Sequence, residues 1–282
     1  MRLRAQGHHI LGLVRNDVAA NRLAQSGIEP VMGTLDDTDL LIQLAQSSDA
    51  VINTANADHL GSVQALLEGL KGSGKPLLHT SGSSVVGDDA RGGFCSPHVF
   101  DEQTPWVINP FKQARRDIDL LVLSGVNDGI KTAVICPSLI YGVGTGLNPN
   151  SVQIPFLASN AQERGAVEIV GQGLNVWANV HIEDVASLYQ LVLEKGPGGA
   201  FYFAENGEAS YADLGQALAQ RLGLQDVVHL EPEVAAERWG VARAYFSFGS
   251  NSRVRARRAR EELGWAPQHT SVFNWIANEA QF

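Results

Sequence analysis

The residues best suited to chemistry fall in two short stretches. The first is Lys75–Gly87, KPLLHTSGSSVVG, where the apolar run Leu77-Leu78-His79 gives way to Thr80-Ser81-Gly82-Ser83-Ser84. Such hydroxyls can polarise a carbonyl or pass a proton, and they can equally satisfy local backbone groups. The second is Asn109-Pro110-Phe111-Lys112-Gln113-Ala114-Arg115, which opens a helical pattern running to Leu123. Helical residues four apart share a face, which groups Phe111 with Arg115. Phe111 brings an apolar ring to that face and Arg115 a permanent charge.

The elements that must position these groups can be read from periodicity. An apolar run ending in hydroxyls and glycine predicts a buried parallel strand that opens into a loop at its carboxyl end. Open α/β sheets place their ligands at that end. Before it come a helical turn stopped by Gly7, a strand Ile10–Val14, a helix Asp17–Gln25 and a strand Ile28–Met32. Then follow a helix Asp39–Ser47 with Asp37 or Thr38 as its N-cap, a strand Ala50–Ala55 and a helix Leu60–Leu70. Thr132–Cys136 reads as another strand. This alternation predicts a doubly wound parallel sheet. Further on, Ile154–Ser159 starts a helix, and Val167–Val170 and Ala200–Phe203 are strand-like. Asp184 is expected to cap a helix Val185–Glu194, and Ser210 a helix Tyr211–Leu222 that stops at Gly223.

Composition narrows the function classes. The 282 residues are long enough for a full α/β core. A net charge of −9 argues against a general nucleic-acid or anionic-membrane binder. The basic run Arg253, Arg255, Arg257, Arg258 and Arg260 is followed by Glu261 and Glu262 and is expected to be a solvated helix face. Cys95 and Cys136 make no disulfide framework, and neither a membrane-length apolar run nor a signal peptide is present, so a cytoplasmic protein is expected. No metal site is expected. The glycine clusters Gly142–Gly146 and Gly171–Gly173 read as ordinary loops.

Taken together, TSGSSVVG, the helix carrying Phe111 and Arg115, Pro137-Ser138-Leu139-Ile140-Tyr141-Gly142, Val180-His181-Ile182-Glu183-Asp184-Val185-Ala186 and Glu262-Leu263-Gly264-Trp265-Ala266-Pro267 resemble the extended short-chain dehydrogenase/reductase family, whose members are NAD(P)-dependent epimerases, dehydratases and their relatives. The resemblance runs from Leu3 to Pro267 and marks the chain as an atypical member. It implies a Rossmann-like, doubly wound α/β domain over residues 1–145 and a small C-terminal α/β substrate lobe over 146–282, with residues 175–195 returning to the first domain. In the family a first strand with a GxxGxxG turn precedes the first strand seen here. Two explanations stand open, a start placed too late and a true truncation with a damaged cofactor site.

The resemblance also assigns residues. Arg15 and Asn16 stand where the family selects its cofactor, and a guanidinium there can pair with a 2′-phosphate, favouring NADP over NAD. Leu35 and Asp36, in a segment resembling GDLxD with Thr34 for the Asp, are expected against the adenine, and Asn53-Thr54-Ala55 along the cofactor. Pro137 and Ser138 are expected to face the nicotinamide, with Cys136 where Arg is common. The family's Ser, Tyr and Lys correspond here to Gly82, Phe111 and Arg115, with Asp119 on its acidic position. Phe111 has no hydroxyl to pass a proton, so the proton would come from Ser81, Ser83, Tyr141 or water, while Arg115 could still hold a ribose or phosphate oxygen beside the reacting groups, with Ser81 also against the cofactor. Trp177 replaces an Arg that grips diphosphates in nucleotide-sugar members, so Phe111, Tyr141 and Trp177 are expected to hold a smaller, partly apolar or aromatic substrate. The implied activity is NADP-dependent oxidation or reduction of a small carbonyl or alcohol. The alternatives are a non-catalytic NAD(P) sensor, a nucleotide-sugar epimerase or dehydratase, and RNA binding, against which the net charge counts. A homodimer is the family's usual arrangement.

Overall fold

The computed structural model describes Arg2–Phe282. Its strands, in chain order, are β1 Leu11–Val14, β2 Glu29–Met32, β3 Val51–Asn53, β4 Pro76–Thr80, β5 Lys131–Pro137, β6 Leu139–Tyr141, β7 Val167–Val170, β8 Val176–His181, β9 Ala200–Ala204, β10 Glu208–Ser210 and β11 Val227–Leu230. The central sheet is parallel, in the order β3-β4-β5-β9, with Asn53 opposite His79, Thr80 opposite Ile135 and Cys136 opposite Phe203. β5 is buried from Thr132 to Pro137, as befits a parallel strand covered on both faces. The helices Leu60–Leu70 and Gln113–Ser124 touch each other on this sheet, and so do Ile182–Lys195 and Arg257–Leu263. This is the Rossmann-like α/β arrangement expected. β1 and β2 form a separate parallel pair, and among the described residues no strand joins β1 to β3, where the resemblance places the first strand.

A second core lies around β6, β7, β8, β10 and β11 and the helices Gln153–Arg164, Tyr211–Leu222 and Pro232–Trp239. β8 pairs in parallel with β6 and antiparallel with β10, and β7 pairs in parallel with β11. The helix Ile182–Lys195 instead sends Val185, Leu188 and Val192 into the core of the central sheet. Two caps differ from expectation. The helix after β8 begins at Ile182, because His181 Nδ1 accepts the Glu183 N–H at 3.2 Å. Asp184 therefore sits inside its first turn, and its carboxylate accepts the backbone N–H groups of Gln268 and His269 at 2.9 and 3.0 Å. Asp37 stands before helix Thr38–Ser47 but turns its carboxylate back to Thr34 N at 2.6 Å. Ser210 caps as expected, accepting from Asp213 N at 3.0 Å.

The arginine run is neutralised locally. Arg253 and Arg255 pair with Glu208, Arg260 with Glu205, Arg257 with Glu261 and Arg258 with Glu262. None of the described helices is long and apolar enough to cross a membrane.

Candidate active site

The site grows from the carboxyl end of β4. Thr80 Oγ1 donates to Asn53 O at 2.8 Å and lies 2.5 Å from the Tyr189 hydroxyl, tying β4 to β3 and to helix Ile182–Lys195. Ser81 N still donates to Ile135 O at 2.8 Å, so the strand register holds to the point where the chain turns away. Ser83–Val86 then forms one 3₁₀ turn. The three serines are held differently. Ser81 Oγ donates to Asp119 Oδ2 at 2.9 Å, Ser83 Oγ lies 2.7 Å from Ser252 Oγ, and Ser84 Oγ accepts from Arg115 Nη1 at 3.1 Å. Gly82 leaves room for that guanidinium, since a Cβ there would stand 3.3 Å from Arg115 Nη1.

The helix carrying Arg115 starts as a 3₁₀ turn, Pro110–Lys112, capped by Asn109, whose Oδ1 accepts Phe111 N at 2.9 Å. It continues as an α-helix over Gln113–Ser124. Lys112, Arg115 and Asp119 recur at spacings of three and four and therefore lie along one face. Asp58, from the loop after β3, takes Arg115 in a fork, with Nε to Oδ1 at 2.7 Å and Nη2 to Oδ2 at 2.5 Å. That bond holds the Asp58 carboxyl below its usual range and raises Arg115 in turn. The fork and the Ser84 bond use three of five guanidinium N–H groups and leave two for a ligand.

Burial sets the protonation of three neighbours. Asp119 is fully buried, its Oδ1 has no partner, and desolvation pushes its carboxyl up to about 7 against the opposing effect of the Ser81 bond. His79 is 1% exposed, and burial together with the Arg115 charge lowers it to about 4. Among the described residues the Lys112 ammonium has no hydrogen-bond or ion-pair partner, and desolvation and the Arg115 charge lower it to about 8 against the weaker pull of Asp58.

A cavity of about 580 Å³ opens above these groups. Its walls include Ser81, Ser83, Arg115, Pro137, Ser138 and Trp177 among the residues singled out from sequence. Ser138 donates to Ala204 O at 2.9 Å, and Trp177, 3% exposed, donates its indole N–H to Ser250 O at 2.7 Å. Tyr141 is not in the cavity. It is buried beside His181 and Trp275, its hydroxyl donates to His269 O at 3.3 Å, and burial pushes it up to about 12. Packing of the second core turns it away, so it does not face the serines as the expected catalytic role requires. Phe111 stays outside the lining, half exposed, with its ring stacked at 4.2 Å on Phe246, which does line the cavity.

The cofactor residues further along the sheet lie outside this cavity. Arg15 and Asn16 are exposed after β1, where Asn16 Oδ1 caps the next helix by accepting Ala19 N at 2.9 Å. Asp36 is exposed and 3.2 Å from His59 Nε2, and Leu35 beside it is partly buried. Asn53 Nδ2 lies 3.2 Å from His79 Nδ1, while Thr54 and Ala55 are exposed. Sequence reasoning passed over Lys112, Ser84, Asp58 and Phe246. Lys112 and Ser84 stood in the quoted motifs, but only the fold shows that they line one cavity, and Asp58, on the loop after β3, and Phe246, in the helical turn Ala244–Phe248, come from segments distant in sequence.

Lys112 and Arg115 are the charged side chains of the lining, and both are cations. That donor set suits the nicotinamide-ribose end of a dinucleotide, whose hydroxyl and phosphate oxygens are acceptors. The epimerase family model, described as "NAD dependent epimerase/dehydratase family", matches residues 1–202. The chain belongs to this family. Among curated proteins it is 33% identical to "Oxidase ucsJ" of Acremonium sp, over 90% of this chain and 84% of that one. It is 25% identical to a farnesyl-dihydroquinoline-oxide ketoreductase of Stigmatella aurantiaca, over 72% of this chain and 62% of that one. Among solved structures, a dTDP-glucose 4,6-dehydratase from Bacillus anthracis in complex with NAD superposes with a TM-score of 0.74 at 21% identity, covering 96% of this chain and 86% of that one. The last likeness speaks for the fold alone.

Proposed function

We propose that this family member is an NAD(P)-linked oxidoreductase that interconverts a small carbonyl compound and its alcohol, with NADP preferred. The observation that carries this reading is the cavity at the carboxyl ends of β4 and β5, cationic through Lys112 and Arg115 and walled by Trp177 and Phe246. The bound dinucleotide would supply hydride. Arg115, braced by Asp58, would hold the ribose or an adjoining phosphate, and Ser138 and Pro137 would border the nicotinamide. Trp177 leaves no guanidinium where a diphosphate sugar would need one, which favours a smaller substrate with an apolar or aromatic part. Arg15, exposed after β1, is the group for a 2′-phosphate.

The test is turnover of NADPH or NADH against a panel of aliphatic and aromatic aldehydes and ketones, with a nucleotide-diphosphate sugar as competitor. Reduction of small carbonyls that the sugar does not inhibit is expected. Turnover of the sugar alone would return the chain to the epimerase and dehydratase chemistry of its relatives. A second reading, a non-catalytic NAD(P) sensor, draws on Gly82 and Phe111, which put no hydroxyl at two positions where the resemblance expects one. Cofactor binding without turnover of any carbonyl in the panel would favour it.

A further inference from the structure

The buried Asp119 has no structural task that requires a carboxyl. Its Oδ2 meets one side chain, the Ser81 hydroxyl at 2.9 Å, and its Oδ1 meets none. Most buried carboxylates with a scaffolding role accept several bonds, as Asp184 does here from two backbone N–H groups and His269. Ser81, by contrast, belongs both to this buried pair and to the wall of the cavity. Ser81 therefore borders both the cavity and a carboxyl that is itself fully buried.

We propose that Ser81 and Asp119 form a two-residue proton relay between the substrate cavity and a buried acid, replacing the missing tyrosine. This rests on the oxidoreductase reading. With Asp119 ionised, Ser81 donates to Oδ2. With Asp119 protonated on Oδ2, the same contact runs the other way, and the Ser81 proton is free to turn toward a ligand. During reduction the substrate carbonyl carbon receives hydride from a dihydronicotinamide, and the C=O π pair moves to oxygen. That oxygen takes the Ser81 proton, Ser81 Oγ takes the proton from Asp119 Oδ2, and Asp119 is left as a carboxylate. The substrate is reduced and the dinucleotide oxidised. After the alcohol leaves, cavity water returns one proton through Ser81. Oxidation runs the same path backwards.

The surroundings let the carboxyl hold a proton near neutrality. Ser81 faces it from the loop after β4 and Cys136 from β5, while Arg115 and Arg116 lie on its own helix and Asp58 beyond them on the loop after β3. Arg115 is claimed by Asp58, and the Arg116 guanidinium is stacked 4.3 Å from the Trp106 ring. Neither cation forms a direct bond to Asp119. Burial and the Asp119 charge keep the Cys136 thiol protonated, so it does not compete for the proton.

The test begins without turnover. In the full chain labelled with ¹³C at aspartate carboxyls, one carboxyl should titrate near neutrality. The signal should vanish in Asp119→Asn and move to higher pH in Ser81→Ala, which removes a bond that favours the ionised form. An aspartate set that titrates entirely in the ordinary acidic range would overturn the relay. In turnover, the rate of carbonyl reduction should fall as pH rises through that same titration, and both Asp119→Asn and Ser81→Ala should lower kcat about 100-fold and remove the limb. If Asp119→Asn does not fold, Ser81→Ala carries the test. A limb and rate unchanged in the variants sink the relay alone, whereas an intact neutral titration with no turnover of any carbonyl sinks the oxidoreductase reading beneath it.

Discussion

Replacing His79 with leucine separates the acid sensitivity of the site from that of the rest of the chain. His79 stands on the central strand, and its Nδ1 lies 3.2 Å from Asn53 Nδ2, an obligate donor. The ring must therefore accept at Nδ1 and carry its proton on Nε2, which is buried without a partner. A second proton would set two donors against each other beside the Arg115 charge. The folded chain accordingly holds His79 neutral down to about 4, whereas the unfolded chain protonates it near 6.5. Because the folded value is depressed, the stability is present above the unfolded value and is lost as pH falls toward the folded one. The full shift corresponds to roughly 3 kcal/mol, of which about 2 kcal/mol is gone by about pH 5. Urea denaturation at a series of pH values reads this directly. His79→Leu leaves Asn53 short of a partner at every pH, so its stability is offset by a constant, but its decline from neutral to about pH 5 should be about 2 kcal/mol shallower than the wild type's. Parallel curves would refute the reasoning and mean that the ring is solvated or already charged in the folded state.

Other outcomes follow from the same geometry. On the proposed placement of the cofactor, Arg115→Met should weaken NADPH binding about 10- to 100-fold, the loss of one or more charge-assisted bonds, read by nicotinamide fluorescence. Because the Asp58 partner is half exposed, the same change should cost little stability. Trp177→Ala empties a buried site and removes one of the two donors to Ser250 O, leaving Asn175 Nδ2, and should lower stability by about 3–5 kcal/mol in a urea titration.

Much of the fold can be read along the chain because parallel strands covered on both faces are continuous apolar runs and the intervening helices carry one apolar stripe. Leu77-Leu78 and the run from Thr132 to Cys136 are of the first kind, and Leu60–Leu70 of the second. Helix starts were harder where two candidate caps compete. Asp184 has the right side chain, yet His181 three residues earlier captures the N–H of Glu183 and sets the start. The site was half legible. Ser81 and Ser83 could be picked because they stand at a strand end, Arg115 because it lies at helical spacing from Phe111, and Trp177 only through the resemblance, as the residue in place of an Arg. Tyr141 misled because alternation along a three-residue strand does not say which of two cores claims a side chain. The Asp58 brace, the Phe246 ring and the unpartnered Asp119 oxygen depend on contacts between segments far apart in sequence, for which no local pattern exists.

Titration of the chain with NADPH and NADH, followed by nicotinamide fluorescence, bears most directly on the central claim of a dinucleotide site. Saturable binding is expected, tighter for NADPH than for NADH, with Arg15→Asp reducing the preference by removing the cation available to the 2′-phosphate. Binding of neither cofactor would contradict the claim and leave a chain with this family's fold and another task.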